Sequence, residues 1–290
     1  MKINKKSISA LLTVLFFCFS LSAFGQTETA GKFKRTDYKT EKFDFGVGGM
    51  VSIVGAPHGS ITIESWQNME VEISAEITNE AATEADLAML SKVNGFIVDD
   101  GFGKIRIISV GSFDKKHVRK IDRKFPKHLI GAPFRIDYKI KVPFYTDLEI
   151  NGGRGDFHLS NVEGTIRVNL LESNARFDLV GGLLDATIGS GVVDVNIASR
   201  SWRGRSTSVQ LASGRLNVHL PLNFNANLDA EVLRSGKIEN SYNFLKPREK
   251  TKFTDRQMFA KTGSGGVPLK FTVGDGTLAL SEYRAERAVR

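Results

Sequence analysis

From Thr146 onward the chain returns at short intervals to one pattern: two or three apolar residues at alternate positions, a small or turn-forming residue, then apolar alternation again. The runs are Leu148/Ile150, Phe157/Leu159, Ile166/Val168/Leu170, Phe177/Leu179, Val193/Val195/Ile197, Val209/Leu211 and Leu216/Val218/Leu220. Period-two alternation places the apolar residues of each run on one face of a strand and wets the other, as Arg167 and Asn169 do between Ile166 and Leu170. The turns repeat as well: Gly155-Asp156-Phe157, Gly191-Val192-Val193, Gly214-Arg215-Leu216, Gly236-Lys237-Ile238 and Gly276-Thr277-Leu278. Gly59-Ser60-Ile61 is a distant upstream copy, and Asn174 stands where one copy lacks its glycine. The marks at 155, 174, 191, 214 and 236 are 19, 17, 23 and 22 residues apart. A unit this short cannot bury its apolar face alone, so neighbouring units must stack. The predicted fold class is all-β: a β-solenoid or β-helix-like repeat of short strands with glycine turns over 146–280, after a β-rich part over 37–145 with one short helix. An outer-membrane barrel shares the alternation but needs an outward apolar band, and Arg167, Asp178 and Asp194 hold outward positions. A β-sandwich stays open for 37–145.

In that first part, 51–54, 60–64, 71–77, 105–110 and 134–142 read as strands, the last closed by Pro143, which cannot donate to a ladder. Helix is predicted once, over about 82–93. Thr83 is placed to cap it, Asp86 holds the capping-box position, and Leu87, Leu90 and Val93 recur at helical spacing before Asn94-Gly95.

The first 25 residues read as a secretory signal peptide: Lys2, Lys5 and Lys6, an apolar run from Ile8 to Phe19, and Ala23-Phe24-Gly25 as the cleavage site. Residues 26–36 are expected to be a linker and 281–290 a tail. The apolar run is too short to span a bilayer, and no later segment is long enough. The chain is therefore expected to be exported, to the periplasm, cell surface or medium. The single cysteine, Cys18, falls inside the leader, so the mature chain holds no disulfide, thiolate metal site or cysteine nucleophile. The leader also carries three lysines and no acid, so its removal lowers the formal charge from +8 to +5. An exported chain with so mild an excess is not expected to bind nucleic acid.

The order of these features resembles the DUF4097 family, a group of exported bacterial β-repeat proteins with an adhesin-type name. The resemblance runs from Val51-Ser-Ile-Val-Gly-Ala-Pro-His-Gly-Ser-Ile-Thr-Ile-Glu-Ser-Trp66, through the helix near 83–93 and Asp137-Tyr-Lys-Ile-Lys-Val-Pro143, to the serial glycine turns ending near Leu280. It departs at Asn174 and in the basic stretch near 115–127. The resemblance implies adhesion or surface interaction and carries no catalytic motif.

The expectation for function is thus a non-enzymatic, adhesin-like binding or scaffold protein of the cell envelope, with no cofactor. Its partners would be envelope polymer, protein or an anionic membrane surface. The alternatives are a structural or regulatory envelope component and a polysaccharide-active enzyme. The candidate contact residues are Lys115, Lys116, Arg119, Lys120, Arg123, Lys124 and Lys127, seven cations against Asp114 and Asp122 within 114–127. Clustered cations are attracted to anionic headgroups or lipid A phosphates. The same stretch also reads as a solvated loop over 114–128, although Val118, Ile121 and Phe125 recur at helical spacing. Arg154-Gly155-Asp156 spells an integrin-binding tripeptide, but Gly155-Asp156 is already one copy of the repeat turn. The five histidines show no metal-binding spacing, with His158 and His219 at outward positions, and no G-x-S-x-G elbow occurs. Asp156, Asp178, Asp185 and Asp194 could serve as paired carboxylates, but Arg154, Arg167, Arg176, Arg203, Arg205 and Arg215 interleave with them.

Overall fold

The computed structural model describes residues 32–197, 202–222, 224–248 and 250–284, so the expected signal peptide and most of the expected linker and tail lie outside the described residues. The strands are β1 (Phe33–Asp44), β2 (Met50–His58), β3 (Ile61–Trp66), β4 (Glu70–Ala81), β5 (Gly95–Gly101), β6 (Lys104–Val110), β7 (Phe134–Pro143), β8 (Asp147–Arg154) and β9 (Phe157–Ser160). They continue as β10 (Thr165–Glu172), β11 (Ala175–Leu179), β12 (Gly181–Ile197), β13 (Arg203–Leu220), β14 (Ala226–Asn240), β15 (Lys246–Pro247), β16 (Gln257–Thr262) and β17 (Val267–Glu282). Among the described residues, two short α-helices, α1 (Glu84–Val93) and α2 (Lys115–Ile121), interrupt this all-β order. β1 begins at Phe33, inside the stretch expected as linker.

The strands form two parallel ladders that share members. One runs β6-β2-β8-β10-β12-β13-β17-β14. The other runs β7-β3-β9-β11-β12-β13-β17-β14. The pairings of β2 with β8 and of β3 with β9 carry the sheet across residue 145 without a break. The later strands β12, β13, β14 and β17 are long enough to serve both ladders, passing through Gly191, Gly214, Gly236 and Gly276 between their halves. Antiparallel strands close the ends: β5 on β6, β4 on β7 with β1 beyond it, and β16 on β14 with β15 beyond it.

Parallel ladders are stable when their inward faces are covered. Here the inward residues of both ladders, among them Ile53, Ile63, Ile107, Ile140, Ile150, Phe177, Ile188, Val195, Val218 and Phe271, join one core and are fully buried. α1 forms as expected: the Thr83 hydroxyl accepts from the Asp86 amide at 3.1 Å, and Leu87, Leu90 and Val93 are buried. These three do not join the main core but pack with Ala81, Val118, Phe125 and Leu129 in a separate cluster.

A strictly serial repeat would set β14 beside β13. Instead β17, last in sequence, lies between them. The burial pattern shows why. β17 buries Leu269, Phe271, Val273, Leu278 and Leu280, so it needs a neighbour on both sides. β14 beyond Val232 is largely exposed and carries Arg234, Lys237 and Glu239, the charges that suit a sheet edge.

The corners pack backbone against backbone. At Gly191, with φ +134°, an added β carbon would lie 2.0 Å from the Ser173 carbonyl oxygen; at Gly214, also at φ +134°, it would lie 2.0 Å from that of Gly191. Gly276 and Gly236 extend the column. Asn174, read in the sequence as the copy without its glycine, is level with Asp156 and Val192; the corner itself is held by Ser173, level with Gly155 and Gly191, in the gap between β10 and β11 and without a left-handed φ. Gly214→Ala should therefore cost about 3 kcal/mol or more, strain and clash together. Gly131→Ala, at φ +82° with nothing within 4 Å of the new carbon, should cost only about 1 kcal/mol. Urea unfolding midpoints at unchanged slope measure both, and equal losses would show that the corner contact is not what demands glycine.

Candidate functional site

Between β6 and β7 the chain leaves the sheet, and this excursion carries the seven cations. It is not the expected open loop. The Asp114 carboxylate accepts from the amides of Lys116 at 2.9 Å and His117 at 3.1 Å, which satisfies orphan donors and starts α2. Asp122 accepts from the Lys124 amide at 2.8 Å, and a single 3-10 turn follows over Lys127–Leu129. Val118, Phe125 and Leu129 form the inward stripe against α1. The buried Asn94 locks the excursion in place: its amide donates to Asn79 at 2.6 Å and its carbonyl oxygen accepts from the Ser112 amide at 2.8 Å.

This packing divides the segment into two faces. Lys115, Lys116, Arg119, Lys120, Arg123, Lys124 and Lys127 are all exposed, and among the described residues none of them is in an ion pair. On the sheet some cations are paired across strands, as in Arg154–Glu172 at 3.1 Å and Arg215–Glu239 at 3.0 Å. The local acids are spent: Asp114 and Asp122 on backbone amides, and Asp86 on His128 Nε2 at 3.1 Å. Three apolar side chains stand exposed in the same stretch, Phe113 at 47%, Ile121 at 45% and Ile130 at 36%. Of the helically spaced trio, Val118 and Phe125 turn inward while Ile121 does not. Phe113, which the helical spacing did not mark, stacks on Phe134 with ring centroids 5.9 Å apart and planes 2° from parallel.

The Arg154-Gly155-Asp156 tripeptide belongs to the corner column. Arg154 pairs with Glu172, Asp156 accepts from the Asn174 amide at 3.2 Å, and a β carbon on Gly155 would lie 2.0 Å from the Gly59 carbonyl oxygen.

The four carboxylates singled out in the sequence do not share one site. Asp185 is on the outer face of the first ladder, in register with Arg167 and Ser208. On the outer face of the second, Asp178 accepts from His158 at 2.8 Å, from Asn196 at 2.7 Å and from Arg176 at 3.1 Å, while Asp194 accepts from Asn217 at 2.8 Å. Burial pushes the Asp178 carboxyl upward, but the hydrogen bonds from His158, Asn196 and Arg176 outweigh it and hold the group below the usual carboxylate range. The contacts from His158, Asn196 and Asn217 tie neighbouring strands together, while Arg176 and Asp178 belong to the same strand.

His219, expected to face solvent, is half-buried, with Nδ1 2.7 Å from the Ser281 hydroxyl. Burial disfavours the imidazolium and lowers its pKa below the ordinary 6.5, despite the opposing charge of Asp194. A depressed folded-state value means the unfolded chain binds the proton first. Stability is full above 6.5 and declines as pH falls through that value toward the folded one. His219→Gln should flatten this part of the pH–stability curve, as followed by urea midpoints from neutral to mildly acid pH.

No family model matches the sequence, so the DUF4097 resemblance rests on the residues that carry it, and no curated protein matches either. Among solved structures, the chain is similar to a putative cell adhesion protein from Clostridium sporogenes, at 10% identity and a TM-score of 0.45, over 86% of this chain and 100% of that one. It is similar to a putative adhesin from Bacteroides fragilis at 12% identity and a TM-score of 0.30, over 84% and 97% of the two chains. It is also similar to a putative lipid binding protein from Parabacteroides distasonis at 10% identity and a TM-score of 0.26, over 86% and 97%.

Proposed function

We propose that this chain is an exported, non-enzymatic binding protein of the bacterial cell envelope that seats its α2 segment on an anionic lipid surface. The observation that carries this reading is the coincidence of seven exposed, unpaired cations with exposed Phe113, Ile121 and Ile130 on one short excursion from a rigid sheet. Cations near an anionic leaflet are attracted by about 1 kcal/mol each, and apolar side chains add burial at the headgroup boundary. Exposed cations alone would suit a solvated loop. Exposed phenylalanine and isoleucine beside them add apolar area that an anionic lipid surface would take together with the charge. The inward stripe on α1 holds the segment in shape, so docking needs little ordering. In this reading the stacked, solenoid-like ladders act as the platform that carries the docking segment, and the leader-like N-terminus delivers it.

Vesicle sedimentation tests the proposal. The protein should bind phosphatidylcholine vesicles that contain phosphatidylglycerol, bind pure phosphatidylcholine much less, and lose affinity as salt rises. Replacing Lys116, Lys120 and Lys124 with Gln removes about 3 kcal/mol of attraction, a loss of roughly 100-fold in affinity. Phe113→Ser should weaken binding further at constant salt dependence. The three lysines are exposed, so the melting temperature of the triple-Gln variant should hold within a few degrees, whereas Phe113→Ser also loses the stack on Phe134 and should lower it modestly. Wild-type affinity in the triple-Gln variant would overturn the proposal.

A further inference from the structure

At the other end of β6, three turns distant in sequence are tied together by backbone hydrogen bonds. The Phe45 amide donates to the Met69 carbonyl at 2.9 Å, and the Gly48 amide to the Tyr145 carbonyl at 3.0 Å. They enclose a cleft of about 370 Å³ between the turn after β1, the turn after β3 and the turn after β7. Its walls are Trp66, Phe144 and Tyr145, with Val47 and Met69 at the rim. Phe144 and Tyr145 meet edge to face with centroids 4.9 Å apart. Val47, Met69 and Tyr145 remain exposed, at 63%, 49% and 46%.

Two properties of the lining select a ligand. First, no charged residue lines the cleft, although a quarter of the chain is charged. The cations nearest Trp66 are already matched: Lys42 and Lys141 lie 5.7 and 5.2 Å from its ring centroid, and both pair with Glu72. Second, Ser65, Gln67 and Asn68 line the cleft beside the rings, and among the described residues none of their side chains, nor the Tyr145 hydroxyl, makes a hydrogen bond. The Trp66 ring is held by its indole N–H, which donates to the Glu70 carbonyl at 2.8 Å, so one aromatic wall is preorganised.

From these features we infer that the cleft is a binding site for a neutral saccharide. A pyranose ring without charge presents an apolar C–H face for Trp66 and Tyr145 and hydroxyls for the amides of Gln67 and Asn68. An acyl chain would leave those polar groups without partners, at a desolvation cost. An anionic headgroup would meet no cation in the lining. The site is separate from the docking segment, since the seven residues of β6 put roughly 20 Å between them.

The test is titration of the full chain with neutral oligosaccharides of glucose, mannose, xylose, galactose and N-acetylglucosamine, with oligogalacturonate and hexanol as acidic and apolar probes. Tryptophan emission is the readout. Trp66 and Trp202 are the two tryptophans, and Trp202 is buried against Phe224, so a ligand-dependent change reports on Trp66. At least one neutral oligosaccharide should saturate the signal below about 10 mM. Tyr145→Ala should weaken that binding at least tenfold, Tyr145→Phe less, and Lys120→Gln not at all. Equal melting temperatures for the two Tyr145 variants separate lost contact from lost folding. The inference is overturned if no neutral oligosaccharide saturates, if Tyr145→Ala leaves the affinity unchanged, or if hexanol or oligogalacturonate binds as well as the best neutral sugar.

Discussion

The fold depends on how closely adjacent strands approach where the two ladders meet. A parallel stack holds its strands about 4.8 Å apart along their whole length, corners included. At the corner the carbonyl of one strand lies where the next strand's β carbon would be, as Ser173 lies against Gly191 and Gly191 against Gly214. Glycine at a left-handed φ is the residue that meets both demands at once. Gly191, Gly214, Gly276 and Gly236 stay level with one another from β12 through β13 and β17 to β14, so this column marks the common boundary between the two halves of these long strands.

A parallel stack also leaves edges. In this chain they are covered by antiparallel strands and by charge. β1 lies on β4 and carries alternating cations and acids, and β16 covers β14 only as far as Glu231. The core continues between these ends as one cluster, which makes the sheet a stiff support for what hangs from it. Two surfaces hang from it, both near β6: the excursion with α2 after its last residue, and the cluster of turns at its first. One gathers cations with apolar side chains; the other gathers aromatic rings with amides and excludes charge. These chemistries suit different ligands, and placing them a strand's length apart allows both to be engaged together.

Much of this was legible from residues near one another in sequence. The α1 cap at Thr83, the alternation of β7 and β10 and the glycine turns are local signals, each decided by a side chain and a neighbour within a few residues. β1 and β5 were not legible. β1 is nearly all polar, and its strand form rests on pairing with β4. β5 opens with Gly95 and ends in Asp99-Asp100-Gly101, and pairing with β6 makes it a strand. α2 was half legible. Val118 and Phe125 signal an inward stripe, but a seven-residue helix is too short to persist on propensity, and it forms because Asp114 caps it and α1 covers it.

The sequence by itself determined the all-β class, the positions of the glycine corners and the location of the basic excess, because alternation, backbone freedom and charge are properties of single residues and their close neighbours; the corner without glycine falls at Ser173, one residue before the Asn174 marked in the sequence. The tertiary structure decided that β17 inserts between β13 and β14, that His219 is half-buried, that Phe113 and Ile130 share the surface with the cations, and that Trp66 and Tyr145 line one cleft. Each of these joins residues far apart in the chain, and such pairings are selected by which arrangement buries the most apolar surface while leaving polar groups partnered. That balance belongs to the whole fold and to no segment of it.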